Sequence, residues 1–352
     1  MKNLRASNNP LSIEKLLLIV LSAFICTPLF SQDKVIQKIT FGSCSHQKKR
    51  QPILNQVVKE SPDLFIYLGD NIYGDTRNME KLRAKYLLLG KKLEFKRLRK
   101  STEILAIWDD HDYGENDAGR HYPFKEESKE IFLEFWKEPI ESERRKHTGN
   151  YHVVYYGPMD KRVQVILLDT RTFRDNLTTL KELSKYKNDY QPCLTEDSTI
   201  LGDQQWLWLE NTLRQPAKIR IIATSTQYAH EYNGWESWNN FPYEHKRMSD
   251  LIQKTKASGV IFLSGDVHWG ELSKRSIEGS YPIYDITSSG ITQTWDKPQP
   301  NKYRLGAVVM ENNYGMLEID WNQPEPEIRF SITDINKKTR VEQKVKLSEI
   351  SF

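Results

Sequence analysis

The chain has 352 residues, 38% hydrophobic and 28% charged, a globular balance with apolar material for one large core or two modest ones. Its 51 Lys and Arg against 47 Asp and Glu leave a net charge of +4. So weak a bias gives no ground for a nucleic-acid partner, which needs a concentrated basic surface.

Residues 1–31 differ from the rest. Lys2, Arg5 and Lys15 precede an almost unbroken apolar run from Leu16 to Cys26, followed by Thr27-Pro28-Leu29-Phe30-Ser31. A basic start, a short apolar segment and a small residue near its end predict a secretory signal peptide cleaved after Ser31, hence an exported chain, periplasmic or extracellular. The run falls short of the roughly 20 apolar residues of a membrane span. A short membrane anchor and lipid attachment at Cys26 are the alternatives. No later segment is apolar enough to cross a bilayer. Export leaves Cys44 and Cys193, which an oxidising compartment would allow to pair.

From Lys38 short β-branched runs alternate with longer helical patterns, which predicts an α/β domain over residues 32–352. Ile39–Phe41 reads as a strand ending in Gly42-Ser43-Cys44, and Ile53–Glu60 as a helix stopped by Ser61-Pro62. Leu64–Leu68 reads as a buried strand running into Gly69-Asp70. After a helix over Glu80–Leu89, the apolar run Ile104–Trp108 opens into Asp109-Asp110-His111-Asp112. Val163–Leu168 ends in Asp169-Thr170-Arg171. A helix over Gln204–Leu213, a strand over Ile219–Thr224 and a helix over Tyr243–Lys256 follow. Val260–Leu263 then opens into Ser264-Gly265-Asp266-Val267-His268. Further strands are expected at Ile283–Thr287, Met316–Ile319 and Glu327–Ile332, the final strands of 316–347 completing a second sheet packed on the first. The expected fold is a sandwich of two mixed β-sheets flanked by helices. Four apolar strands ending in acidic or metal-capable residues place a site at the carboxyl ends of the strands, where open α/β sheets bind ligands.

Taken in order, Gly42-Ser43-Cys44, Gly69-Asp70-Asn71-Ile72-Tyr73-Gly74-Asp75, Trp108-Asp109-Asp110-His111-Asp112 with Asn116-Asp117-Ala118-Gly119, Asp169-Thr170-Arg171, Leu201-Gly202-Asp203-Gln204-Gln205-Trp206 and Ser264-Gly265-Asp266-Val267-His268 resemble the PhoD-like alkaline phosphatases. These are a branch of the calcineurin-like metallophosphoesterases. The resemblance implies a two-metal site in which Asp70 bridges the ions. Cys44 stands where most of the superfamily opens with Asp-x-His and becomes a thiolate ligand, its other reading being a buried or disulfide-bonded cysteine. Tyr73 resembles the phenolate ligand of purple acid phosphatases, or is a packed aromatic. By the same alignment Asp110 is a ligand to the second metal, and His111 faces the leaving-group oxygen. Asp112 or Asp109 holds that imidazole, or both belong to an acidic surface turn. Asn116 adds an amide oxygen to a calcium ion. Asp266 and His268, two apart on one side of an extended chain, are metal ligands. Arg171 contacts substrate phosphate or pairs with Asp169. The aromatic stretch Tyr228–Phe241 walls the cleft or packs as a loop.

These residues predict a metal-dependent hydrolase in which a water held by the ions attacks phosphate monoesters, with diesters close behind. A nuclease or phospholipase-type activity on the same site, or a metal-binding protein without turnover, is the alternative. So oxygen-rich a site suits calcium, magnesium or manganese better than zinc, and the resemblance implies iron with calcium. The expected partner is a small phosphate ester, and the chain is expected to be a monomer.

Overall fold

Alternating side chains along the early strands set the layers of the fold. The computed structural model describes residues 34–179, 190–231 and 234–352; the signal peptide expected over residues 1–31 lies outside them. Every residue of the strand Leu64–Leu68 is buried. Leu64, Ile66 and Leu68 enter one core, and Phe65 and Tyr67 another. A strand covered on both faces requires such an unbroken apolar run.

The first sheet has six strands in the order Thr339–Lys346, Glu327–Asp334, Asn313–Asp320, Lys38–Gly42, Leu64–Leu68 and Glu103–Ile107. The last three are mutually parallel and the others antiparallel. The second has seven, in the order Arg304–Val309, Gly270–Arg275, Ile283–Ser288, Val260–Ser264, Ile219–Ala223, Val163–Leu167 and His152–Tyr156, with a parallel centre and antiparallel edges. One core joins Ile39, Phe41, Leu64 and Ile66 of the first sheet to Val163, Val165 and Ile286 of the second. It continues to the helices Gly202–Leu213 and Pro242–Thr255 through Trp206, Leu209, Met248 and Ile252. The other core lies between the first sheet and the helices Pro52–Glu60, Met79–Lys91, Leu93–Ser101 and Lys125–Trp136. Two mixed sheets flanked by helices is the expected class. Among the described residues no helix is long and apolar enough to cross a membrane.

The last strands depart from expectation. They complete the first sheet, not the second: Asn313–Asp320 pairs antiparallel with Lys38–Gly42, Ile39 opposite Leu317. The second sheet is finished by Gly270–Arg275, Ile283–Ser288 and Arg304–Val309. Period-two alternation identifies a strand but not the edge it joins, which tertiary packing decides.

Three neighbouring parallel strands of the first sheet run in the same direction, so their C-terminal loops, carrying Cys44, Asp70 and Asp110, emerge together. The loop after Val260–Ser264 arrives from the other sheet. Glycine permits both close approaches this requires. A Cβ on Gly69, at φ +98°, would lie 2.5 Å from the Cβ of Asp109; one on Gly265 would lie 2.5 Å from Ser43 Oγ.

Candidate metal centre

Four of the expected ligands hold backbone conformations that L-residues seldom adopt: φ is 61° at Cys44, 50° at Asp70, 70° at Asp266 and 64° at His268. Asp75 and Asp117 share this region. Each such residue costs on the order of 1–3 kcal/mol and persists only where its surroundings over-determine it. The segment Asp266–His268 is therefore a strained turn, not the extended chain expected from sequence.

The turns converge their side chains. Ligand-type atoms of Cys44, Asp70 and His268 lie within 4.8 Å of one another; so do those of Asp70, Asp110 and His111, and those of Asp110, Asp117 and Glu236. Asp70 belongs to the first two groups and Asp110 to the last two, so three acid-rich clusters are joined through shared carboxylates. They open on a cleft of ≈ 230 Å³ lined also by Asn116, Asp266, Trp235, Val267, Trp269 and Trp295.

Around Asp70, the Cys44 thiol lies 3.4 Å from Oδ2 and 3.0 Å from the Ser289 hydroxyl, whereas Asp70 Oδ1 is buried without a hydrogen-bond partner. Cys44 and Cys193 are both free thiols and do not pair. Tyr73 is buried, its hydroxyl 3.0 Å from His268 Nε2 and its ring 4.2 Å, centroid to centroid, from that of His111. The His46 ring stacks on Tyr73 at 5.0 Å. Asp110 accepts from the backbone N–H groups of His111 and Asp117, each at 2.7 Å. Asn116 lies exposed at the rim. The Asp266 side chain joins none of the three clusters. It lines the cleft, with Asp109, Glu236 and Asp110 as its charged neighbours.

Several supporting roles differ from expectation. The imidazole of His111 is held by Asp75, Nδ1 to Oδ1 at 2.6 Å, and not by Asp109 or Asp112. Asp112 is fully buried, receiving the backbone N–H groups of Asn71, Ile72 and Asp109 at 3.0–3.2 Å and the Tyr86 hydroxyl at 2.9 Å. It locks the turn that presents Asp70 to the one that presents Asp110. Asp109 is equally buried, so neither residue belongs to a surface turn. Arg171 neither lines the cleft nor pairs through its guanidinium with Asp169, which it meets through its backbone N–H, donated to Oδ1. Wholly buried, it places Nε 2.6 Å from Asp109 Oδ1 and Nη1 2.6 Å from Glu236 Oε2. Arg174 Nη2 adds a contact to Glu236 at 3.0 Å. In the loop after Ile219–Ala223, Ser225 bonds Thr170 and Gln227 bonds Glu271.

Sequence reasoning did not single out Asp75, Asp117 or Glu236 as functional. Asp75 and Asp117 lie inside the quoted motifs and were within reach of it. Glu236 sits in the irregular Trp235-Glu236-Ser237-Trp238 stretch, where nothing in the pattern marks it.

The electrostatics fit cations. Burial pushes the Asp70 carboxyl well up and the Cys44 thiol to about 12. Burial and then Glu236 raise Asp117 to about 7. Against the pull of burial, the Asp110, Asp70 and Asp75 carboxylates raise His111 to about 11, while burial and His111 lower His268 to about 4. Buried acids, a carboxylate oxygen without a partner and the thiol, phenol, imidazole and carboxylate donors form a set that metal ions would satisfy.

The chain has relatives among known proteins. A family model described as PhoD-like phosphatase matches residues 39–313. Alkaline phosphatase D of Bacillus subtilis (strain 168) is 22% identical over 294 residues, covering 71% of this chain and 48% of its own. The chain thus spans about half the length of that curated relative. Among solved structures, PhoD superposes with a TM-score of 0.70 at 18% identity, covering 89% of this chain and 69% of its own. GAP50, the anchor in the inner membrane complex of Plasmodium, gives 0.58 at 11%, covering 89% of each chain. A dimetal phosphatase from Danio rerio gives 0.53 at 12%, covering 90% of this chain and all of its own. At such identities these structures establish the fold alone. With the family match running through every strand-end motif that builds the centre, the chain belongs to the PhoD-like phosphatase family.

Proposed function

We propose that this chain is an exported, metal-dependent phosphoesterase acting on phosphate monoesters first and on diesters second. The observation that carries the reading is the charge of the cleft. Asp70, Asp110, Asp117, Glu236 and Asp266 line it, and no Lys or Arg is among its described lining residues. A phosphate at 4 Å from each carboxylate would meet a repulsion of about 4 kcal/mol per pair of unit charges at an effective dielectric of 20. With its carboxylates ionised and bare, such a cleft excludes phosphate; with cations in the clusters it attracts it. When bound, such ions supply the positive charge a phosphate ester needs and acidify a water for attack.

The donors divide in kind. Cys44, Tyr73 and His268 beside Asp70 suit iron, whereas Asp110, Asp117 and Glu236 with Asn116 at the rim suit calcium, magnesium or manganese. Asp70 bridges. His111, positioned by Asp75, stabilises and protonates the departing oxygen. Arg171 holds Glu236 and Asp109 in place from beneath. The chain acts as a monomer.

The second reading, a metal-binding protein without turnover, draws support from one fold neighbour being described as an anchor, since fold alone does not imply chemistry. The two readings separate in one assay. Purified mature protein is tested on p-nitrophenyl phosphate and bis-p-nitrophenyl phosphate, before and after chelation and with iron and calcium restored. Turnover lost on chelation and recovered with the ions is expected. Tightly bound metal without turnover of either ester would establish the binding protein instead.

A further inference from the structure

We propose that Trp235 and Trp295 form a leaving-group subsite that selects phosphate esters carrying a planar, uncharged aromatic ring, an inference that rests on the phosphoesterase reading. The two indoles line the same cleft as Asp110 and His111. Their centroids are 6.2 Å apart and their planes meet at 82°, forming a corner with one ring face and one ring edge. A flat ring entering this corner stacks on one indole and meets the other edge-on, the two arrangements aromatic quadrupoles favour.

Both indoles are tied to the ligands. The backbone N–H of Trp295 donates to the carbonyl of His268 at 2.9 Å, and its Nε1 donates to the carbonyl of Lys297 at 3.1 Å. Trp235 immediately precedes Glu236, which Arg171 and Arg174 grip at 2.6 and 3.0 Å. The corner is thus held at a fixed reach from the reacting phosphate. Trp295 is 36% exposed, so part of its indole is open to a ligand. Val267 and Trp269, both buried, extend the apolar wall.

The remaining surface narrows the choice. At ≈ 230 Å³ the cleft is smaller than the roughly 300–1,000 Å³ of sites for drug-sized ligands, so it admits a small ester. Its outer wall of Trp235, Val267, Trp269 and Trp295 is apolar, and no Lys or Arg is among the described lining residues to pair with a further negative charge on the leaving group.

Phenylphosphonate and methylphosphonate test the subsite without the confounding effect of leaving-group acidity, because neither is hydrolysed. Their dissociation constants are measured by tryptophan fluorescence on the metal-loaded protein and, by competition, on its Trp295→Ala, Trp235→Ala and Trp295→Phe variants. Wild type is expected to prefer the phenyl compound. Trp295→Ala should cut that preference about tenfold, the scale of one aromatic stacking partner, and Trp295→Phe should retain most of it. No preference in wild type, or one unchanged in both alanine variants, overturns the subsite. Turnover of phenyl phosphate and a nucleoside monophosphate is followed in parallel, and their relative kcat/KM tells an aryl ester from a nucleotide as the source of the ring. Intact phosphonate preference without turnover of any ester refutes the phosphoesterase reading and leaves the aromatic subsite standing.

Discussion

Replacing Arg171 by methionine tests whether this arginine is part of the scaffold or part of the phosphate site. Its guanidinium is fully buried between Asp109, whose Oδ1 lies 2.6 Å from Nε, and Glu236, whose Oε2 lies 2.6 Å from Nη1. Removing one partner of a buried ion pair costs about 3–5 kcal/mol, because the other charge stays buried and uncompensated. Arg174 remains 3.0 Å from Glu236, so the loss falls mainly on Asp109 and the lower end of that range is expected. At roughly 2–4 °C per kcal/mol for domains of this order, the Tm should fall by about 10 °C. Thermal and urea unfolding of the metal-loaded protein measure this. Adding Asp109→Asn to the methionine variant removes the stranded charge and should recover part of the lost stability, with a coupling outside additivity. A variant that melts within about 1 °C of wild type and shows only a raised KM would refute the reasoning and return Arg171 to the substrate phosphate.

Four further outcomes follow from single contacts. Asp75→Asn should lower kcat about 10- to 100-fold with metal content retained, because His111 loses its orienting carboxylate; steady-state kinetics with elemental analysis check both halves. Cys44→Ser should lower the iron content of the reconstituted protein while sparing calcium, since the thiol belongs to the Cys44, Asp70 and His268 cluster alone. Gly265→Ala should destabilise by about 1–3 kcal/mol, the usual cost of overpacking, because the new methyl meets Ser43 Oγ at 2.5 Å; denaturant unfolding reads this directly. His245 is buried and lowered from 6.5 to about 3 by burial and by Arg275. Its folded-state pKa is depressed, so its stability contribution is present above pH 6.5 and lost as pH falls towards 3. Stability should therefore drop in that window by up to about 1.4 kcal/mol per pH unit from this group, and His245→Gln should flatten the slope.

Much of this protein was legible in its residues. The apolar run Leu64–Leu68 announced a buried strand and Val260–Leu263 another strand, and the observed strands Leu64–Leu68 and Val260–Ser264 are fully buried. Hydrophobic periodicity is local, which is why the helices Gly202–Leu213 and Pro242–Thr255 fall within a residue or two of expectation. The convergence of Asp70, Asp110 and His268 on one cleft, with Cys44 buried beside Asp70 and His268, followed from their shared position after strands.

Tertiary structure alone decided what each carboxylate does. Asp75, Asp109, Asp110, Asp112 and Asp117 are chemically alike, and five such residues near one another in sequence carry no label. Packing separates them: Asp112 is spent on four hydrogen bonds, Asp109 on Arg171, Asp75 on His111, and Asp110 and Asp117 are left to the cleft. The same holds for Glu236, which lies more than a hundred residues from Asp110 and meets it only because a loop of the second sheet folds over the first. Residue type and spacing determined the strands, the helices and the chemistry on offer. Which donor faces a cation, which is buried as a brace, and which sheet takes the last strands depend on contacts between distant segments, and no local pattern encodes those.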